Sequence, residues 1–191
     1  MEDAVRFLGE NGPRSLVSLG CGRRINRIDN HLRIWCALEL DYYVGIDKAD
    51  WIAADWDGFF VDPAQARAAL KERALSPDTF LQRMRLFPGT RVESLWGVPC
   101  RAVVCQRVLP FHHWEELVAS MAPEWILQED LHGCERQDFR PWGYRRAKEE
   151  AVRWGLKPFR PWKILPGERN YILWKSSAVP GGRGRRGVSG P

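Results

Sequence analysis

The chain has no apolar run long enough to serve as a membrane span: none of its 191 residues sits in a window approaching the about 18 uncharged apolar positions that a spanning helix needs. The opening MEDAVRFLGENG carries acids and lacks the apolar stretch of a secretory leader, so we expect a soluble, cytoplasmic protein with no membrane partner. Cysteine is sparse and unpatterned. Cys21, Cys36, Cys100, Cys105 and Cys134 form no CxxC pair and are odd in number, which argues against a disulfide framework and for reduced thiols acting as small apolar filler. The four histidines show no HxxxH spacing, so no metal site is expected. The C-terminal end is basic and free of acids. The last sixteen residues, SSAVPGGRGRRGVSGP, contain Arg183, Arg185 and Arg186 with no acid, and without those three arginines the net charge of +5 falls to +2. A pI near 9.1 is therefore weak grounds for nucleic-acid binding by the body of the protein. With almost nothing apolar in it, 176–191 is expected to be a flexible Gly/Arg-rich tail on a domain spanning 1–175.

What is present is 45% apolar side chains, enough for one core, arranged in alternating short apolar runs and amphipathic segments. Glu2 to Glu10 has partly helical spacing and ends in Asn11-Gly12-Pro13. SLVSL (15–19) has the length and character of a buried strand, Ile25 to Leu40 a period near 3.6, and YYVGID (42–47) is again short, β-branched and aromatic. Strand, loop, helix and strand make a βαβ unit. PAQARAALKER and SPDTFLQRMRLF predict two helices within an elaborated crossover. TRVES (90–94) suits a brief strand and AVVCQ (102–106) a clear one; WEELVASMA (114–122) predicts a helix and EWILQEDL (124–131) a strand. YRRAKEEAVRWG (144–155) has a helix's charge pattern, and KPFRPWKIL and RNYILWK read as extended runs about the turn Pro166-Gly167. The pattern predicts an α/β fold: a three-layer, doubly wound, mostly parallel seven-stranded sheet closing with an antiparallel hairpin strand.

The stretch SLGCGRR carries the chemistry of the first unit. Glycine allows positive φ and close backbone approach, so Gly20 and Gly22 between strand and helix suit a nucleotide-like ligand. Asp47, ending the next strand, suits a ribose diol. The dinucleotide fingerprint G-x-G-x-x-G is incomplete because Ile25 occupies its third glycine position, which disfavours a ligand with a pyrophosphate.

From Ser15 to Lys175 the chain resembles a small class I (Rossmann-like) S-adenosylmethionine-dependent methyltransferase. VSLGCG resembles that family's first motif, YYVGID its second, AVVCQRVLPFHHWEELVASMAPEWILQED its fourth strand, following helix and fifth strand, and RWGLKPF with RNYILWK its last two strands. The resemblance implies S-adenosyl-L-methionine as cofactor, with Gly20, Cys21 and Gly22 beneath its methionine portion, Asp47 on the ribose and Lys48 beside the adenine. It further implies Glu93 near the adenine amino group and Gln106 at the methionine end. Two positions depart from the family pattern: Arg24 stands for the final glycine of the first motif, and Ala102 for the aspartate that often begins the fourth strand. Asn26, Asp29, Asn30 and His31 either face the cleft or cap and solvate the helix start.

Methyl transfer from a sulfonium needs alignment and exclusion of water more than a metal. Candidates for a catalytic base are His112 and His113; Glu129, Asp130 and His132, around the end of the fifth strand, are candidates for substrate contact. The residues 48–90 and 132–144 would form a lid. A small-molecule acceptor is expected, because the chain is near the minimum for this fold. The alternatives are an RNA or protein methyltransferase using Arg140, Arg145, Arg146 and the tail, and a non-catalytic scaffold of the same fold.

Overall fold

A computed structural model of the chain describes residues 3–21, 28–47, 60, 62–106, 113–129, 138–158 and 171–178. The first helix, α1 (Ala4–Asn11), starts where the Asp3 carboxylate accepts the Val5 N–H. It leads through a 3-10 turn into β1 (Ser15–Leu19), buried at every position. Then follow α2 (Ile28–Ala37), β2 (Tyr42–Asp47), α3 (Pro63–Glu72), α4 (Pro77–Arg83) and β3 (Met84–Pro88). The chain continues with β4 (Ala102–Gln106), α5 (Trp114–Ser120), β5 (Trp125–Glu129), β6 (Tyr144–Arg146), α6 (Lys148–Arg153) and β7 (Tyr171–Ser176).

The seven strands form one sheet in the order β3-β2-β1-β4-β5-β7-β6. β7 runs antiparallel to both its neighbours, and the pairings among β1 to β5 are parallel. This is the doubly wound α/β sheet with one antiparallel strand that the sequence pattern predicts. Alternation along each strand sends side chains to two apolar layers. Leu16, Tyr43, Val104 and Leu127 pack with Leu32, Trp35 and Leu70 from α2 and α3. Val17, Val44, Val103 and Ile126 pack with Phe7 and Leu8 of α1 and Leu117 and Val118 of α5 on the opposite face. Helices thus cover both sides of the sheet, which is why its central strands β1 and β5 are buried at every position.

Three local expectations are corrected. The helix predicted across SPDTFLQRMRLF stops at Arg83, because Met84–Pro88 pairs with Tyr43–Asp47 as an edge strand. TRVES is no strand: Val92–Leu95 is a 3-10 turn. Likewise Tyr144–Arg146, predicted as the start of a helix, pairs with Trp174–Ser176, and only Lys148–Arg153 is helical. The other predicted extended run, Lys157 to Leu165, lies outside the described residues from position 159, as does the tail from 179.

Candidate functional site

From β1 the sheet grows in one direction through β2 to β3, and in the other through β4 to β5 and on to β7. Such a reversal opens a crevice beyond the carboxyl ends of β1 and β4, the usual ligand position in an open α/β sheet. Gly20 leaves β1 with φ at 69°, in the left-handed region that a residue with a Cβ occupies at a cost. The N–H groups of Gly20 and Cys21 donate to the Ile46 carbonyl at 2.9 and 3.2 Å, so the turn bends toward the end of β2. Asp47 is the next residue there. Burial, reinforced by the Asp47 charge, pushes the Cys21 thiol up to about 12. Gly45 makes the approach possible: a Cβ there would stand 2.7 Å from Leu86 Cδ2 and 3.2 Å from Cys21 Sγ. Gly20, Cys21 and Asp47 are therefore brought together, as the two motifs require. An adenosine-bearing ligand without phosphates suits this donor set, because Asp47 is a half-buried acceptor for paired hydroxyls and the turn adds no Cβ at the strand end.

Gln106 ends β4 in register with Glu129, which ends β5. Glu129 belongs, with Trp125 and Leu127, to the face of β5 that packs on α2, and it is 7% exposed. Asn30 Nδ2 donates to its Oε1 at 2.7 Å, and His31 Nε2 lies 3.2 Å from its Oε2. His31 Nδ1 is 3.1 Å from the Tyr43 hydroxyl, and the two rings are stacked. Asn30 also joins the chain beyond α6, giving to the Lys157 carbonyl and receiving its N–H, each at 2.8 Å. Asp29, Asn30 and His31 are thus buried side chains of the first turn of α2 rather than a solvated helix start. Sequence reasoning missed this network. Its one visible signal is a run of three polar residues inside an otherwise apolar helical period.

Glu93 and His113, assigned separate roles from the sequence, line one cavity of about 490 Å³ with Trp96, Glu116 and Leu117. One wall comes from the 3-10 turn after β3 and the other from the start of α5. His113 precedes α5 with φ at 74°, and its Nδ1 is 3.1 Å from Glu116 Oε2. The ring is 74% exposed, so this is a solvent-facing pair at a helix start. Glu116 is a partner that the three-residue spacing to His113 could have revealed. Gly22, Lys48, His112, Asp130 and His132 lie outside the described residues. Among the described residues no group of three or more His, Cys, Asp or Glu side chains could hold a metal ion, and no helix is long and apolar enough to cross a membrane.

No protein-family profile matches the chain, and no curated protein shows significant similarity to it. Among solved structures, an rRNA methylase from Streptococcus thermophilus is similar at 14% identity with a TM-score of 0.38, the match covering 91% of this chain and 93% of that one. A human methyltransferase 10 domain containing protein is similar at 11% identity and a TM-score of 0.38, over 91% and 80% of the two chains. The glycopeptide N-methyltransferase MtfA, complexed with S-adenosyl-L-homocysteine, is similar at 14% identity and a TM-score of 0.36, over 91% and 88%. What defines the architecture of this chain is its own strand order, a seven-stranded, doubly wound sheet of Rossmann-like α/β type.

Proposed function

We propose that this protein is an S-adenosylmethionine-dependent methyltransferase acting on a small molecule. The observation that carries the reading is the closeness of the glycine turn after β1 to Asp47 at the end of β2, joined through the Ile46 carbonyl. The motif resemblance of VSLGCG and YYVGID supports the same ligand. When bound, S-adenosylmethionine supplies a methyl group already activated by the positive charge on sulfur. Gly20, Cys21 and Gly22 then pass beneath the methionine portion, and Asp47 accepts hydrogen bonds from the ribose hydroxyls. Lys48 and Glu93 flank the adenine, and Gln106 meets the methionine end.

The protein's remaining task is to orient the acceptor and exclude water. His113, whose Nδ1 lies 3.1 Å from Glu116 Oε2, is the base we favour among the described residues. His112, Asp130 and His132 extend the acceptor side in this reading. The test is calorimetric titration of S-adenosylmethionine into the wild type and Asp47→Ala. Binding that is lost or weakened at least about 30-fold in the variant supports the assignment, since two hydrogen bonds to an ionised acceptor are worth ~2 kcal/mol or more. No binding to the wild type sinks the catalytic reading of this chain.

A further inference from the structure

Consecutive residues of β2 meet the turn that follows β1. In the parallel register Leu19 stands opposite Ile46, so a strand running straight on would set its next residue opposite Asp47. The chain turns instead: Gly20 has φ at 69°, and the N–H groups of Gly20 and Cys21 both donate to the Ile46 carbonyl. Gly45, one residue before Ile46, lies against the Cys21 side chain. A Cβ on Gly45 would stand 3.2 Å from Cys21 Sγ and 3.7 Å from Cys21 Cβ. The thiol therefore crowds the space that a side chain at position 45 would need, and it does so at 1% exposure, inside a packed layer.

The other neighbour of that space is of a different kind. Leu86 Cδ2, 2.7 Å from the same position, is the end of a partly buried side chain on β3, and a change of rotamer moves it aside. Cys21 has one rotatable side-chain bond, and its own N–H is tied to the Ile46 carbonyl. Relief of a contact with Cys21 thus falls on the turn itself. Positions 45 and 47 face the same side of the sheet, so a turn pushed off Gly45 shifts across the face that carries Asp47.

We propose that Gly45 and Cys21 are a size-matched pair of positioning residues: the missing side chain of one receives the side chain of the other, and this fit sets the turn against Asp47 for cofactor binding. The proposal rests on the methyltransferase reading above. The two N–H groups of Gly20 and Cys21 are engaged by Ile46, so this part of the turn meets a ligand through its shape. That shape depends on the volume at two positions far apart in the chain, which makes the two positions energetically coupled: a carbon added at 45 is tolerated once an atom is removed at 21.

The experiment is a double-mutant cycle on the dissociation constant of S-adenosylmethionine, measured by calorimetry on the full-length wild type, Gly45→Ala, Cys21→Ala and the double variant. Gly45→Ala should weaken binding about fivefold or more, whereas in the Cys21→Ala background the same change should matter less than about twofold, a coupling of the size that residues in contact show. Equal effects of Gly45→Ala in the two backgrounds overturn the proposal, because the loss then comes through Leu86 or through general destabilisation. A Gly45→Ala protein that binds like the wild type overturns it as well. If the wild type binds no S-adenosylmethionine, the methyltransferase reading itself fails; a wild type that binds, with an additive cycle, sinks the pair alone. Should Gly45→Ala not fold, the cycle is repeated in Leu86→Ala, where the nearer obstacle is gone and Cys21 alone confronts the added carbon. There, folding restored by Cys21→Ala supports the proposal, and a chain that stays unfolded with both neighbours trimmed overturns it.

Discussion

At the residue scale, two glycines three positions apart answer differently to the same substitution. Gly9 is exposed in α1, and a Cβ there meets nothing within 4 Å. Gly9→Ala should stabilise the protein by ~0.5–1 kcal/mol, since alanine loses less backbone freedom in a helix. At Gly12 a Cβ would lie 1.8 Å from the Pro99 carbonyl oxygen, a backbone atom that cannot rotate away. Gly12→Ala should cost about 3 kcal/mol or more. Urea unfolding of both variants checks the pair; equal midpoints would contradict the packing described. The cysteines give a second test. Cys21, Cys100 and Cys105 are buried, and burial pushes Cys21 up to about 12 and the other two beyond the ordinary thiol range. A thiol reagent at pH 8, followed by peptide mass spectrometry, should label these three only after denaturation, because the protonated, enclosed thiol is a poor nucleophile.

At the element scale, Asp29 fastens α2 to α3 and to the chain beyond α6. Its carboxylate meets Arg33 at 3.0 Å, Arg73 at 3.1 Å and Lys157 at 3.3 Å. Burial alone would raise Asp29, but the Arg33 hydrogen bond and the charges of Arg33, Arg73 and Lys157 outweigh it and hold the group below the usual carboxylate range. The sign follows from linkage. A carboxyl group lowered by folding contributes fully above its unfolded value, about 3.9, and that contribution disappears as the pH falls toward the lower folded value. Asp29→Asn should therefore destabilise by ~1–3 kcal/mol at pH 7, and the gap to wild type should narrow below about pH 4. Denaturant titrations at both pH values test this; a gap that widens in acid would contradict it. The edge strands show why elements were partly hidden in the sequence. β1, β2 and β4 were legible to the residue because they are short apolar runs closed by glycine, acid or glutamine. β3 and β6 were not, since a half-exposed run such as Met84–Phe87 becomes a strand only when β2 offers it a ladder of partners.

At the scale of the whole molecule, a ligand that binds only the folded chain must stabilise it. With free S-adenosylmethionine a hundredfold above its dissociation constant, the gain is ~2.7 kcal/mol, and the melting temperature should rise by roughly 5–10 °C for a domain of this size. Differential scanning fluorimetry measures it, and an unmoved transition at saturating ligand would count against the proposed function. The sequence by itself determined the alternation of strands and helices, the doubly wound class, and the glycine turn and Asp47. Those rest on contiguous residues, whose periodicity and backbone freedom are local properties. Only the tertiary structure decided that Glu93 and His113 share a cavity and that Glu129 is held by Asn30 and His31, residues 99 and 98 positions away in the chain. A hydrogen bond between side chains so far apart leaves no periodicity behind, because the sheet, not the chain, makes them neighbours.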